Sequence, residues 1–219
     1  MLESIFRANV FFVPKGETSE VIFASNLSSA IKTHTVKVYV NDNIRYINIP
    51  CSSGASGALD CAFCREQERR PDYIFRPRKI YIATAYVKLN EPWTDDTGAK
   101  HLYARKLYVT SHSIKKNTIG PYLDKYGSIN GAKFSVVRGM ESKNFNGDIY
   151  NFIGFVKDVT AAIGEKPKEY DPTILFSELT PQEIREIFTL IKIAESKVSS
   201  VPTSTRDDLK SPSDDEIPF

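Results

Sequence analysis

The run HTVKVYVNDNIRYINIPC, His34 through Cys51, decides how this chain folds. Two strand-like arms, 35–40 and 44–49, flank Asn41, Asp42 and Asn43. These three residues tolerate left-handed backbone, which predicts a β-hairpin. Its second arm runs directly into Cys51. Across a turn centred near Asp42, His34 falls opposite roughly Pro50, next to that cysteine.

Working outward, strand-like segments dominate the first 160 residues. Val10 to Val13 ends at Pro14, and further runs cover 80–89, 102–109, 133–137 and 149–156. A turn-rich loop separates Leu89 from Leu102, and 114–126 reads as a short helix. Many strands with one intervening helix predict a mainly β chain, a Greek-key barrel rather than a doubly wound sheet. Near the end, Thr180, Pro181 and Glu183 supply an N-cap, a proline at N1 and a Glu at N3, a capping box. Ile184, Ile187, Phe188, Ile191 and Ala194 follow at helical spacing, predicting a helix whose apolar face packs on the barrel. From about Ser196 the composition turns to Ser, Thr, Pro and Asp, where order is expected to stop. The chain shows no internal repeat.

Cys51, Cys61 and Cys64 stand nine and then two residues apart. A Cys-x-x-Cys pair places two sulfurs at one corner of a tetrahedron, and the intervening loop is long enough to return a third. A structural zinc site wants four such ligands. Of the three histidines, only His34 has a hairpin to carry it to the cysteines; His101 and His112 have no such link. The spacing predicts a structural zinc site of His34, Cys51, Cys61 and Cys64, against the alternatives of a redox-active pair or simply buried thiols.

Ile49-Pro50-Cys51-Ser52-Ser53, the nine-residue interval and Cys61-Ala62-Phe63-Cys64 resemble the zinc segment of the T-even phage helix-destabilising proteins. Those are single-stranded DNA-binding proteins with an OB-fold and a zinc ion held by one histidine and three cysteines. The interval from His34 to Cys51 is a few residues longer here. Tyr73, then Arg76, Arg78 and Lys79, then Tyr81, resembles the family's DNA-cleft run, and Gly131-Ala132-Lys133-Phe134 is similar to a later family strand. The likeness covers about residues 9–155. The family's basic N-terminal arm has no counterpart in 1–9, where Arg7 is the sole cation.

Binding single strands without sequence preference needs cations along a groove and aromatic faces for bases. Residues 65–88 interleave seven cations with Tyr73, Phe75, Tyr81 and Tyr86. Tyr73, Arg76, Arg78, Lys79 and Tyr81 are the foremost DNA-binding candidates, followed by Tyr103 and Arg105. Phe75 is expected to be packed, Tyr86 and Tyr108 are balanced between core and surface, and Trp93, Phe145 and Tyr150 stay open.

The last six residues, Asp214, Asp215, Glu216, Ile217, Pro218 and Phe219, join acids to an apolar end. They resemble the tip of bacterial single-stranded DNA-binding proteins, which recruits replication and repair enzymes. Residues 201–219 carry two cations against five acids, net -3, leaving the other 200 residues near +5. A basic body with an acidic tail suits a polyanion partner.

With 219 residues, 41% hydrophobic content and a mean hydropathy of -0.30, the chain can hold one sizeable domain. No stretch approaches a membrane span, and the N-terminus lacks the basic region of a secretory signal. An odd cysteine count suits a reducing cytoplasm, which the phage resemblance implies is that of a bacterial host. Neither a phosphate-cradling Gly-Lys-Ser/Thr loop nor a nucleophile–histidine–acid set stands out, so no enzyme is expected.

The organisation expected is therefore an OB-fold domain over 1–195, its zinc-binding subdomain at about 34–70, and an acidic protein-interaction tail over 196–219. The function expected is that of a single-stranded DNA-binding protein of phage replication and recombination. The alternative is a zinc-containing adaptor or transcription regulator that binds protein or duplex nucleic acid.

Overall fold

Asn41 and Asp42 take φ of 51° and 60°, the left-handed pair that a two-residue type I′ hairpin turn requires. They join β2 (Ile31–Val40) to β3 (Asn43–Pro50); β1 (Thr18–Phe23) precedes the hairpin in the chain. A two-residue turn centres the hairpin half a residue before Asp42, so His34 pairs with Ile49 and Thr33 with Pro50. The expected register was one residue off, and the turn type is the reason.

The computed structural model describes residues 10–53, 61–139 and 148–199. They divide into two compact units: Ile31–Lys79 with the chain from Thr173, and Ala8–Ala30 with Ile80–Pro172. Among the described residues the fold is mainly β, with seven strands in antiparallel ladders and a few helices. No helix among them is long and apolar enough to cross a membrane.

The first unit packs α1 (Ala62–Gln67) and α6 (Pro181–Ser199) with the β2–β3 hairpin. Val36, Val38, Ile47, Ile49, Phe63, Ile74, Ile187 and Ile191 form its core. The expected capping box is present: Thr180 N donates to Glu183 Oε2 at 2.9 Å, and Glu183 N to Thr180 Oγ1 at 3.2 Å. The helix runs on to Ser199, beyond the expected stop. Burying Ile187 and Ile191 contributes together roughly 3–6 kcal/mol, more than the cap's about 0.5–2 kcal/mol, so packing holds this helix and the cap fixes where it starts. Arg70 also ties it down through an ion pair to Glu195.

In the second unit β1 (Thr18–Phe23) is the centre of a sheet ordered β5-β4-β1-β6-β7. Its partners are β4 (Arg78–Thr94) and β6 (Ala132–Arg138), flanked by β5 (Lys100–Ser111) and β7 (Asp148–Phe155). Val21 and Phe23 face one cluster while Ile22 faces another. A strand buried on both faces carries no apolar–polar alternation, which hid it from pattern reading. The sheet is strongly curled. Tyr108 on β5 and Tyr150 on β7 stand four strands apart, yet their ring centroids are 6.3 Å apart; a flat sheet would separate them by about 19 Å.

Three local expectations change. Val10 makes a single bridge to Leu107 rather than a strand, although Phe11 and Val13 are buried. The loop expected between Leu89 and Leu102 is mostly paired: Trp93 faces His101 after an irregularity that accommodates Pro92. Its tip is closed by Asp95, whose Oδ1 accepts from Thr97 N at 2.9 Å and Ala99 N at 3.0 Å. The helix expected over 114–126 is two, α2 (His112–Asn117) and α3 (Gly120–Tyr126). Pro121 lacks an N–H, and a Cβ at Gly120 would lie 2.8 Å from the Lys115 carbonyl oxygen. The remaining helices are α4 (Val159–Ile163) and α5 (Pro172–Leu175).

Thr180→Ala is expected to lower the unfolding free energy by about 0.5–2 kcal/mol, read from the urea midpoint by circular dichroism.

Candidate metal centre and nucleic-acid surface

The hairpin and α1 bring four side chains together. Cys51 follows β3, and its N–H donates to the Lys32 carbonyl at 2.9 Å, extending the ladder to the first sulfur. Cys61 is the N-cap of α1 and Cys64 lies one turn on, so both sulfurs share a face. His34, Cys51, Cys61 and Cys64 each present a ligand atom, all within 4.8 Å of one another, and can hold a metal ion.

The imidazole is oriented from behind. His34 is fully buried, and its Nδ1 donates to the Phe75 carbonyl at 2.9 Å. A carbonyl only accepts, so Nδ1 carries a proton and Nε2 is the atom aimed at the sulfurs. Nε2 lies 3.2 Å from Cys64 Sγ and 3.6 Å from Cys61 Sγ, and the Cys51 and Cys64 sulfurs are 3.6 Å apart. A tetrahedral cation at ~2.3 Å from sulfur and ~2.0 Å from nitrogen sets edges of ~3.8 Å and ~3.5 Å. These three distances lie within about 0.3 Å of those edges.

The electrostatics favour the same occupant. Burial raises the Cys61 thiol, but the His34 ring and the backbone around Cys64 and Ser52 outweigh it and bring it down to about 5. At Cys64 burial is reinforced by the Cys51 and Cys61 sulfurs, which push the thiol up to about 12. With no cation, the cluster therefore keeps protons between its ligands; a divalent ion replaces them and lets the sulfurs ionise together. Four protein ligands on a tetrahedral ion would leave no position for water or substrate.

Sequence reading missed the groups behind the ligands. Lys32 Nζ donates to Ser53 Oγ at 2.7 Å, and Ser53 Oγ lies 2.9 Å from Cys51 Sγ. This chain places a positive charge behind a sulfur in a site where three thiolates and one divalent cation would sum to -1. Only the proximity of Ser53 to Cys51 hinted at it.

The DNA-binding candidates fall in both units. In the first, Tyr73 is half-buried against the core with Lys37 Nζ 5.3 Å from its ring centroid. Arg76 and Lys79 are exposed and Arg78 is half-buried. In the second, Tyr81 is half-buried, Lys115 Nζ lies 4.4 Å from its ring centroid, and its hydroxyl is 3.4 Å from His112 Nδ1. Tyr103 donates to Glu20 Oε1 at 2.7 Å, and burial with that carboxylate pushes its phenol up to about 12. Arg105 is exposed, its guanidinium 4.6 Å from the Tyr170 ring centroid.

The β4–β5 register separates these groups. Tyr81 pairs with Thr110, whereas Arg105 pairs with Tyr86 and Tyr103 with Lys88. Side chains alternate, so Tyr103 and Arg105 lie on the face opposite Tyr81. Phe75, Tyr86 and Tyr108 are buried, and Tyr150 packs against the core. Trp93 is 48% exposed and stacks on His101 with centroids 4.6 Å apart. Phe145 and the tip 214–219 lie outside the described residues. No family model and no curated protein matches the chain.

Ser53→Ala is expected to weaken metal affinity by about 10–100-fold, measured by chelator competition, while His34→Ala and Cys64→Ser fail to retain one ion per chain by elemental analysis.

Proposed function

We propose that this chain is a sequence-independent single-stranded DNA-binding protein of the zinc-containing T-even phage kind, acting in replication and recombination. The observation that carries the reading is the meeting of His34 with Cys51, Cys61 and Cys64, the ligand set that the resemblance in the cysteine segment implies. Three sulfurs, one imidazole and a closed tetrahedron favour zinc over metals that need open or oxygen-rich coordination. The curl that brings Tyr108 to Tyr150 supports an OB-type barrel in the second unit.

The zinc ion would be held by those four residues and would keep the hairpin, α1 and the segment at Phe75 in place. Binding itself is the work of cations and rings. Arg76 and Lys79 neutralise phosphates, and Tyr81 offers a ring for a base, with Lys115 beside it adding charge. Tyr103 and Arg105 already have intramolecular partners, and their contribution is the smaller one. The tip at 214–219 recruits replication and repair proteins, in the cytoplasm of a bacterial host.

Titration with oligo(dT) against duplex of equal length tests the reading, with Trp93, the single tryptophan, as reporter. Single strands are expected to bind more tightly, with affinity falling linearly in log salt. Tyr81→Ala is expected to cost about 1–3 kcal/mol of binding, whereas Tyr103→Phe leaves affinity unchanged. Sequence-selective duplex binding that survives loss of Tyr73 and Tyr81 overturns it in favour of a duplex-binding regulator.

A further inference from the structure

The first unit carries a cavity of about 540 Å³ beside the metal centre, within the roughly 300–1,000 Å³ range of ligand pockets. Pro50, Phe63, Phe176, Leu179 and Ile184 give it apolar walls. Lys32 and Arg65, both exposed, stand at its edge with one carboxylate, Glu178. An apolar cleft with cations at the rim asks for a ligand that is apolar at one end and acidic beside it.

The chain contains such a ligand. Ile217, Pro218 and Phe219 follow directly on Asp214, Asp215 and Glu216. The distance is suitable as well. Ile184 lies near the start of α6, and Ser199, its last residue, is ~22 Å further along the axis at 1.5 Å per residue. A random coil of twenty residues, the number from Ser200 to Phe219, spans roughly 25 Å end to end. A tether that matches its span holds its end at an effective concentration in the millimolar range, so a site of only sub-millimolar intrinsic affinity is mostly filled.

We infer that the groove walled by Pro50, Phe63, Leu179 and Ile184 is the intramolecular dock of the segment 214–219. Phe219 and Ile217 fill the apolar cleft, and the three acids face Lys32 and Arg65. A protein partner that reads the tip then competes with this groove, so recruitment includes a release step. The inference is independent of DNA binding, and its failure leaves the DNA reading untouched.

The experiment compares amide spectra of the full chain with those of Ile217→Ala/Phe219→Ala, at two protein concentrations. The expected result is shift differences at Phe63, Leu179 and Ile184 that do not change on dilution. A synthetic peptide of residues 211–219, added to the variant, is expected to restore the wild-type positions and to saturate. Arg65→Glu is expected to weaken that peptide about two- to five-fold, the loss of one exposed ion pair. Spectra that coincide at the groove overturn the inference, as does a peptide affinity unchanged by Arg65→Glu. Differences confined to the amides of 76–81 overturn it by placing the tip on the strand cations, and differences lost on dilution assign the groove to a second copy.

Discussion

Three sulfurs and an imidazole nitrogen gathered within 4.8 Å of one another compete for protons unless a cation sits among them. The first unit is organised around that constraint. A type I′ turn sets the hairpin register, the register sets His34 beside the end of β3, and one turn of α1 supplies the remaining two sulfurs. Behind them, the Phe75 carbonyl fixes the ring and the Lys32–Ser53 pair supports the charge. His34 and Cys61 are buried and Cys51 and Cys64 half-buried; the Phe63 ring lies 6.2 Å from that of His34 and stacks on Phe188 of α6, 4.9 Å between centroids.

The second unit depends on a different economy, apolar rather than ionic. Phe23 meets Tyr108 and Phe134 edge-on, at 5.0 and 5.7 Å, and Tyr122 and Phe152 pack around the same ring of Phe134. Edge-to-face pairs of this kind add about 0.5–1.5 kcal/mol each beyond their area burial. The price of this core is that several tyrosines which look like base-stacking groups in the sequence are structural. Tyr86, for example, accepts a hydrogen bond from Lys168 N at 3.0 Å.

What could be read from the sequence was whatever rests on local chemistry. The hairpin, the capping box at Thr180 and the four ligands were legible because turn residues, caps and sulfurs each demand a residue type at a fixed spacing. The central strand β1 was not, since burial on both faces removes alternation. Nor were the faces of Tyr81 and Tyr103: parity is legible within one strand, but the relation of two strands depends on their register, which shifts at an irregularity in β4 between Lys88 and Trp93. The groups behind the ligands were invisible for a related reason. Lys32 reaches Ser53 only through the pairing of β2 with β3, a tertiary fact with no sequence pattern of its own.

The first unit is discontinuous: its hairpin and cysteines come early, while the helix packed with them follows only after Ile80–Pro172, the larger part of the second unit. Arg70 and its partner Glu195 are 125 residues apart. During synthesis the ligands are therefore made long before Phe188, Ile187 and Ile191, and domains generally form in the order in which they emerge. For that interval the thiols lack their apolar cover and are open to oxidation or to the wrong metal. Early metal capture would protect them, and the late arrival of α6 would turn an exchangeable ion into a trapped one. Assembly order, as much as affinity, would then decide which metal such a site holds.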